Sequence, residues 1–248
     1  MLTTLTRLSQ NCLARVRDLL YPPCCLVCRA DLADAVAWPH LCGECAEQLR
    51  ETAVATCLRC GASTGPYGKC MWCRRRRYGF DSVLRLGTYE GQRRSVCLRM
   101  KGAKGDGLAS AMAELLWRAQ GERLREIAAD VVVPVPLHWR RGLARRHQPA
   151  DTLARWLALR LHVPLGRPIL KRRRATLSQR TLPPTRRWEN VRGAFQTAAG
   201  VALCDAKVLL VDDVLTTGAT CSEAARALKR AGASAVHVAV VCRGEGLV

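Results

Sequence analysis

The sequence is poor in acidic and aromatic residues, and it contains no long apolar run. Only 20 Asp and Glu residues oppose 40 Lys and Arg residues, and aromatic side chains make up 5% of the 248 residues. No stretch approaches the roughly 18–20 apolar residues that a membrane-spanning helix needs, so no transmembrane segment is predicted. The apolar content of 49% is ordinary for a globular chain, which excludes intrinsic disorder and collagen-like repeats.

The N-terminal segment also lacks the features of a secretory signal. In residues 1–22 the leucines recur at helical spacing, but arginines interrupt every apolar run. The segment is therefore predicted to form an amphipathic helix that stops at the Pro22–Pro23 pair. Because no continuous apolar region is present, we expect a cytoplasmic location for the chain.

The excess of basic residues gives a formal net charge of +20, and only six of the 40 are lysine. So large a positive field favours polyanionic partners such as nucleic acid, nucleotides, phosphorylated substrates or an anionic membrane face. A general preference for arginine would produce the same charge without any such partner. Composition alone does not choose among these interpretations.

Cysteine is concentrated near the N-terminus, where ten of the 14 cysteines lie within residues 1–80. Random placement predicts about 0.8 Cys-x-x-Cys pairs in the chain, but four occur within fifty residues. Each pair offers two sulfurs to one metal ion, and two pairs complete the tetrahedral four-sulfur site that suits Zn²⁺. Disulfides are the weaker interpretation, because the cytosol keeps thiols reduced. The pairs are Cys25/Cys28, Cys42/Cys45, Cys57/Cys60 and Cys70/Cys73.

Sequential pairing of these cysteines predicts a double zinc ribbon over residues 23–77 that holds two Zn²⁺ ions. Interleaved ligation is the alternative. A four-thiolate site has no open position for a substrate, so the predicted role is structural or one of recognition. The segment has too little apolar periodicity to bury a core, and the metal must supply folding energy. We therefore expect the ribbons and the rest of the chain to have separate sources of stability.

After Arg74–Arg77, short apolar strands alternate with helices. This alternation predicts an α/β domain over residues 80–248, with a mostly parallel sheet flanked by helices. The predicted strands are residues 82–89, 130–135, 207–211 and 235–242, and the predicted helices are residues 106–124, 150–161 and 219–231.

The most informative segment is residues 208–220, where a buried strand leads into Asp212 and Asp213 and then into a threonine-rich turn. Ligands of open α/β sheets bind at the carboxyl ends of strands. Residues from Thr216 to Thr220 would present N–H groups and hydroxyls at a helix N-terminus, which suits a phosphate. The adjacent carboxylates suit ribose hydroxyls with Mg²⁺ nearby. The simpler alternative is a strand followed by an N-capped helix.

The same segment closely resembles the phosphoribosyl diphosphate (PRPP) signature of type I phosphoribosyltransferases. Three further segments extend the likeness to roughly residues 20–245: Val133–Leu137, Ala175–Leu182 and Arg187–Phe195. The chain as a whole is similar to the ComF family of competence-associated proteins. Members of that family join an N-terminal double zinc ribbon to a phosphoribosyltransferase domain.

The resemblance implies a type I phosphoribosyltransferase fold and a set of site residues that act with PRPP and Mg²⁺. Asp212 and Asp213 are the implied catalytic pair, in contact with the ribose hydroxyls. Leu137 and His138 belong to the implied pyrophosphate loop, and Lys101 is a further PRPP contact. The remaining implied PRPP-binding residues are Val214, Leu215, Thr216, Thr217, Gly218, Ala219 and Thr220.

The segment Lys171–Arg187 contains seven basic residues and no acidic residue. We predict a mobile loop over the site, which supplies cations for a diphosphate leaving group. A nucleic-acid track is one alternative, because arginine suits phosphate contacts. A merely solvated run of charge is the other.

Two functions from different classes follow. As an enzyme, the protein would transfer ribose 5-phosphate from PRPP to a nitrogenous base, in DNA uptake or nucleotide salvage. As a non-catalytic DNA-uptake factor, it would bind single-stranded DNA through its basic surface and zinc ribbons. Its PRPP pocket would then be a sensor or a relic, and its partners would include proteins of the DNA-uptake machinery.

Overall fold

The computed structural model describes residues 23–32, 40–50, 54–64, 70–137, 147–174, 176, 182–183 and 186–245. The helix predicted over residues 1–22 and the predicted contact His138 lie outside these ranges. The chain divides into two compact units, residues 1–48 and residues 49–248. In the described part of the chain, no helix is both long and apolar enough to cross a bilayer.

The described part of the first unit contains two cysteine knuckles. In the first knuckle, Arg29 has a φ of 70°, and its N–H donates to the carbonyl of Cys25 at 2.9 Å. The N–H of Leu26 donates to the carbonyl of His40 at 2.9 Å, which joins the two knuckles. Helix α1 (Gly43–Leu49) begins directly after Cys42, so Cys45 of the second knuckle lies in its first turn and is buried with Ala46.

The second unit contains the predicted parallel sheet. Four strands pair in the order β1-β6-β5-β2, and every pairing is parallel, which confirms the predicted fold class. In chain order the elements of this unit are α2 (Met71–Arg75), β1 (Ser82–Thr88), α3 (Gly91–Arg99), α4 (Asp106–Glu126), β2 (Val131–Pro134), α5 (Pro149–Leu161), β3 (Leu170–Arg172), α6 (Arg186–Val191), β4 (Phe195–Thr197), β5 (Lys207–Leu215), α7 (Ala219–Arg230) and β6 (Ala235–Arg243).

Strand β5 lies in the middle of the sheet and is buried on both faces. Val208 and Leu210 face the core that includes the apolar side of α7, and Leu209 lies on the opposite face. Helix α5 packs on β5 and β2, and α4 packs on α5 and β1. The apolar run predicted as a buried strand is therefore covered by helices, as a parallel sheet requires.

Strand β5 extends four residues beyond the predicted end at Val211. It continues to Leu215, because Asp212 pairs with Val240 and Leu215 pairs with Arg243 in the neighbouring strand. Sequence reasoning ended the strand early because two adjacent carboxylates interrupt the apolar run. Pairing with β6 outweighs that local signal.

The second pair of cysteine knuckles belongs to the same core as the sheet. Cys60 and Ala62 are fully buried against it, and Trp72 packs on the same cluster. Gly61 has a φ of +69°, and a Cβ there would lie 2.8 Å from Val83 Cγ1. The N–H of Val83 also donates to the carbonyl of Leu58 at 3.1 Å. The ribbons and the rest of the chain were expected to have separate sources of stability, but the second pair of knuckles shares its core with the sheet.

Five described elements of the second unit were not predicted: α2, α3, β3, β4 and α6. Strand β3 pairs antiparallel with β4 through three residue pairs, and α6 has six residues. The segment 171–187, predicted as a loop, thus begins in a strand and ends in a helix. Elements this short carry no measurable periodicity, so packing on α7 decides them.

Candidate ligand site and metal centres

A cavity of about 520 Å³ opens where β5 ends and α7 begins. Its volume lies within the range of about 300–1,000 Å³ that is typical of ligand pockets. Every predicted catalytic or PRPP-binding residue that the structure describes lines this cavity. These residues are Lys101, Leu137, Asp212, Asp213, Val214, Leu215, Thr216, Thr217, Gly218, Ala219 and Thr220.

The two carboxylates are held in place by backbone and side-chain donors. The N–H of Asp213 donates to Asp212 Oδ1 at 2.9 Å, and the N–H of Val214 donates to Asp213 Oδ1 at 2.9 Å. The other oxygens meet different partners: Cys221 Sγ lies 3.7 Å from Asp212 Oδ2, and Lys101 Nζ lies 2.8 Å from Asp213 Oδ2. Each carboxylate therefore uses one oxygen to accept a backbone N–H, and both residues line the cavity.

The charges in this site influence one another. Burial raises the pKa of Asp212 well above its ordinary value, and the neighbouring charge of Asp213 raises it further. Burial lowers the pKa of Lys101, but attraction to Asp213 outweighs burial and leaves that pKa raised. Lys101 is therefore cationic, and the charged form of Asp212 gains from any cation or hydroxyl donor that enters the cavity.

The turn Thr216–Thr220, which we call the ligand turn, has an unusual backbone. Gly218 has a φ of +78° and forms the N-cap of α7. A Cβ on Gly218 would lie 2.8 Å from Tyr78 Cε1, so glycine is needed both for the conformation and for the close approach. The N–H groups of Thr217, Gly218 and Thr220 donate to no described residue. Together with the helix dipole, they favour an anion.

Sequence reasoning did not single out five polar residues that also line the cavity: Tyr89, Arg94, Gln148, Arg172 and Arg187. Arg187 Nη1 donates to Thr216 Oγ1 at 3.2 Å, and its Nε donates to the carbonyl of Leu182 at 3.0 Å. Arg172 and Arg187 belong to the basic segment that was predicted to bring cations to the site. Arg94 lies on α3, which had no sequence signal.

The first four-cysteine cluster consists of Cys25, Cys28, Cys42 and Cys45, whose sulfurs all lie within 4.8 Å of one another. The Sγ atoms of Cys28 and Cys42 are 3.7 Å apart. A tetrahedral zinc–thiolate site with bonds of about 2.3 Å has edges of about 3.8 Å, so the cluster fits that metal. Burial raises the pKa of Cys25, but backbone N–H groups, including those of Cys28 and Cys42, outweigh burial and lower it to about 6.

The second cluster consists of Cys57, Cys60, Cys70 and Cys73, again with all sulfurs within 4.8 Å. The Sγ–Sγ distances are 3.7 Å between Cys57 and Cys73 and 3.4 Å between Cys60 and Cys70. Both clusters therefore combine consecutive knuckles. The structure brings together the sequential sets and not the interleaved ones.

Comparisons with known proteins agree with this architecture. A profile described as "Phosphoribosyl transferase domain" matches residues 151–246. The DNA utilization protein YhgH of Escherichia coli K12 is 30% identical over 237 residues, which cover 91% of this chain and 99% of the relative. Competence protein F of Haemophilus influenzae is 29% identical over 219 residues, with coverage of 86% and 94%.

Among solved structures, orotate phosphoribosyltransferase from Aeropyrum pernix is similar at 26% identity. The alignment covers 57% of this chain and 62% of that protein, with a TM-score of 0.34. Purine phosphoribosyltransferase from Pyrococcus horikoshii is similar at 22% identity, with coverage of 53% and 83% and a TM-score of 0.34.

The parallel sheet and the matched profile define a protein with a phosphoribosyltransferase domain, which two four-cysteine clusters precede. Because the likeness to YhgH and competence protein F spans nearly the whole chain, this chain belongs to their family, the ComF family of competence and DNA-utilization proteins.

We predict that Gly218→Ala destabilises the protein more than Gly200→Ala does. Both glycines have a φ of +78°, but a Cβ on Gly200 meets nothing within 4 Å. The control variant should therefore lose only the stability that a Cβ costs in the left-handed backbone conformation, about 1–2 kcal/mol. Gly218→Ala should lose a further amount of about 1–3 kcal/mol, because Tyr78 must move. Urea unfolding measures both changes, and equal losses would show that the contact with Tyr78 is unimportant.

Proposed function

We propose that the cavity binds PRPP together with Mg²⁺. One observation carries this proposal: two carboxylates, a helix N-terminal turn and several cations line a single cavity. The N–H groups of the ligand turn suit the 5′-phosphate, and Asp212 and Asp213 suit the ribose hydroxyls. An anion bound without such hydroxyls would leave two uncompensated carboxylates beside it.

The cations of the cavity suit the diphosphate group of the same ligand. Lys101, Arg94, Arg172 and Arg187 outnumber the two carboxylates that line the cavity with them. Arg187 already contacts Thr216, so it can bind an anion next to the ligand turn. Carboxylate oxygens are suitable ligands for Mg²⁺, which when bound neutralises charge on the diphosphate.

Phosphoribosyl transfer is the reaction that these groups support. The bond between C1′ of the ribose and the diphosphate oxygen breaks, a bond from C1′ to a base nitrogen forms, and diphosphate leaves with its electron pair. The protein contributes position and charge: Asp212 and Asp213 orient the sugar and stabilise positive charge that develops on it. Release of diphosphate in the presence of candidate bases tests turnover. Binding without release identifies a PRPP sensor.

We predict that Asp212→Asn weakens PRPP binding at least tenfold in calorimetric titrations with Mg²⁺. Asn keeps the Oδ1 acceptor for the N–H of Asp213 but removes a charge-assisted hydrogen bond worth about 1.5–3 kcal/mol. The melting temperature should not fall, because burial already disfavours the Asp212 charge. Asp213 is a less suitable target, since its replacement also leaves Lys101 without its partner.

Asp81→Asn is the matched control. Asp81 precedes β1 at the opposite edge of the sheet, where it contacts Lys229 at 2.7 Å and accepts the N–H of Val236 at 2.8 Å. This variant should lower stability by up to about 1 kcal/mol and leave PRPP affinity unchanged. If Asp212→Asn has a lower melting temperature but unchanged PRPP affinity, the carboxylate serves only to accept a backbone N–H. That result would overturn the proposal.

We also propose that both cysteine clusters hold zinc, because their sulfur spacings match a four-thiolate site. Anaerobically purified protein should contain two zinc ions per chain by elemental analysis. Cys28→Ser and Cys70→Ser should each contain one ion, since each variant lacks one ligand of one cluster. Cys204→Ser changes an exposed cysteine outside both clusters and should keep two. One ion or none in the unchanged protein would refute the double site.

Single-stranded DNA is the second ligand that we propose, on the basis of a surface that we call the basic strip. Arg76 Cζ lies 5.3 Å from the ring centroid of Trp188, and Arg174 donates to the carbonyl of Arg192 at 3.0 Å. Trp188 follows Arg187 of the cavity, so the strip leads to the ligand site. Its exposed members are Arg74, Arg75, Arg76, Arg77, Arg173, Arg174, Arg186 and Arg192.

The composition of the strip suits a flexible polyanion. Arginine contacts phosphates, and a half-buried indole such as Trp188 offers a stacking surface to any base. The names of the relatives mention DNA utilization and competence, and we carry that role over to this chain. Proteins of the DNA-uptake machinery are then the expected partners, and the zinc ribbons are expected to contact DNA as well.

We predict that binding of single-stranded DNA weakens linearly with the logarithm of salt concentration. Replacing Arg74–Arg77 with Gln should reduce the magnitude of the slope by up to about 3, because each lost phosphate contact accounts for about 0.7. The control replaces four arginines on α4 and α5, Arg118, Arg125, Arg155 and Arg160, which contact carboxylates or tryptophan rings. Equal slopes for the two variants would show that the strip has no special role.

A further inference from the structure

A fully buried arginine joins the second cysteine cluster to the ligand turn. Arg243 ends β6 and has no exposed surface. Its Nε donates to the carbonyl of Cys60 at 3.1 Å, and its Nη1 donates to the carbonyls of Leu215, Thr216 and Gly244. One side chain therefore holds a residue of the metal cluster and the first residue of the ligand turn.

The position of Arg243 is reinforced by packing. Its Cζ lies 4.8 Å from the ring centroid of Trp72, which lies between Cys70 and Cys73. Gly244 also donates to the carbonyl of Leu215 at 2.8 Å, so the backbone beside the arginine contacts the end of β5. Arg243 does not line the cavity, so it can act on a ligand only through the turn.

The charge of Arg243 has no carboxylate partner among the described residues. Glu245 is close in sequence, but its Oε1 is bound by Arg85 Nη1 at 3.0 Å and by the N–H and hydroxyl of Ser63. The second terminal nitrogen, Nη2, is buried and finds no acceptor in the described part of the chain. A buried cation without a counter-charge is strongly destabilising.

The second cluster lies next to Arg243 and can supply negative charge when it holds a metal ion. A divalent ion held by four thiolates leaves the centre with two net negative charges, whereas four protonated thiols carry none. Cys60, whose carbonyl accepts from Arg243, is itself a member of that cluster. Loading of the cluster with metal would therefore supply the charge that Arg243 lacks.

We propose that the metal centre at Cys57, Cys60, Cys70 and Cys73 is the counter-charge of Arg243, and that Arg243 holds the ligand turn in its binding conformation. Arg243 is thus a positioning residue, and the second zinc centre controls the order of the phosphate site. The link to PRPP rests on the proposed function. The effect of metal on the turn does not.

The test compares the two cysteine clusters in the full-length protein. Cys70→Ser disables the second cluster, and Cys42→Ser disables the first as a matched control. Hydrogen–deuterium exchange should become at least tenfold faster in Cys70→Ser at Ser222 and Gly244, whose N–H groups donate to the carbonyls of Gly218 and Leu215. The change in Cys42→Ser should be less than twofold. PRPP affinity should fall at least tenfold in Cys70→Ser alone. Similar exchange at Ser222 and Gly244 in the two variants would overturn the proposal.

A double-mutant cycle with Arg243→Met separates charge compensation from general loss of structure. Without the buried charge, loss of the second metal should lower the melting temperature less than it does in the unchanged protein. Equal decreases in both backgrounds would overturn the electrostatic link. If Cys70→Ser does not fold, chelator titration of the unchanged protein and of Arg243→Met supplies the same comparison through tryptophan fluorescence.

These measurements also separate two kinds of failure. Metal-loaded protein that does not bind PRPP would refute the proposed function, but exchange at Ser222 and Gly244 and the melting cycle would still decide the role of Arg243. PRPP binding that is as tight in metal-loaded Arg243→Met as in the unchanged protein, with unaltered exchange at these residues, would refute the positioning role and leave the PRPP site intact.

Discussion

Parallel pairing between β5 and β6 places the charged groups on which the rest of the site depends. Because β5 stays paired as far as Leu215, Asp212 and Asp213 belong to the end of a rigid strand and not to a loop. The same register brings Arg243 opposite Leu215, beside the ligand turn. If β5 ended at Val211, strand pairing would no longer fix Asp212 and Asp213 relative to Arg243.

The cavity combines an excess of cations with two carboxylates, and the two sets of charges affect ligand selectivity in different ways. The cations attract any anion of suitable size, so by themselves they select only for charge. The carboxylates penalise an anion that brings no hydroxyl group or metal ion to meet them, which adds selectivity through repulsion. Burial and the neighbouring charge of Asp213 already raise the pKa of Asp212, so a further anion beside it adds to the repulsion.

The two cysteine clusters have similar sulfur geometry but different surroundings. The first belongs to a compact unit of its own, in which the N–H of Leu26 donates to the carbonyl of His40 between the two knuckles. The second shares a hydrophobic core with the sheet and with α7, and Cys60 is fully buried. A metal ion in the second cluster would therefore affect the stability of the larger unit, and the proposed role of Arg243 would extend that effect to the ligand site.

The sequence by itself determined the features whose signals are local. The spacing of the cysteine pairs indicated both clusters, apolar runs indicated the four sheet strands, and residues 208–220 indicated the ligand turn, all before any coordinates. Tertiary structure decided what depends on residues far apart in the chain. It extended β5, chose consecutive over interleaved knuckles, brought Arg94, Arg172 and Arg187 into the cavity, and buried Arg243 between two sites. Each feature depends on contacts between separate segments, such as Leu215 with Arg243 at 28 positions apart and Cys60 with Arg243 at 183 positions apart. Such contacts leave no periodic pattern in the sequence.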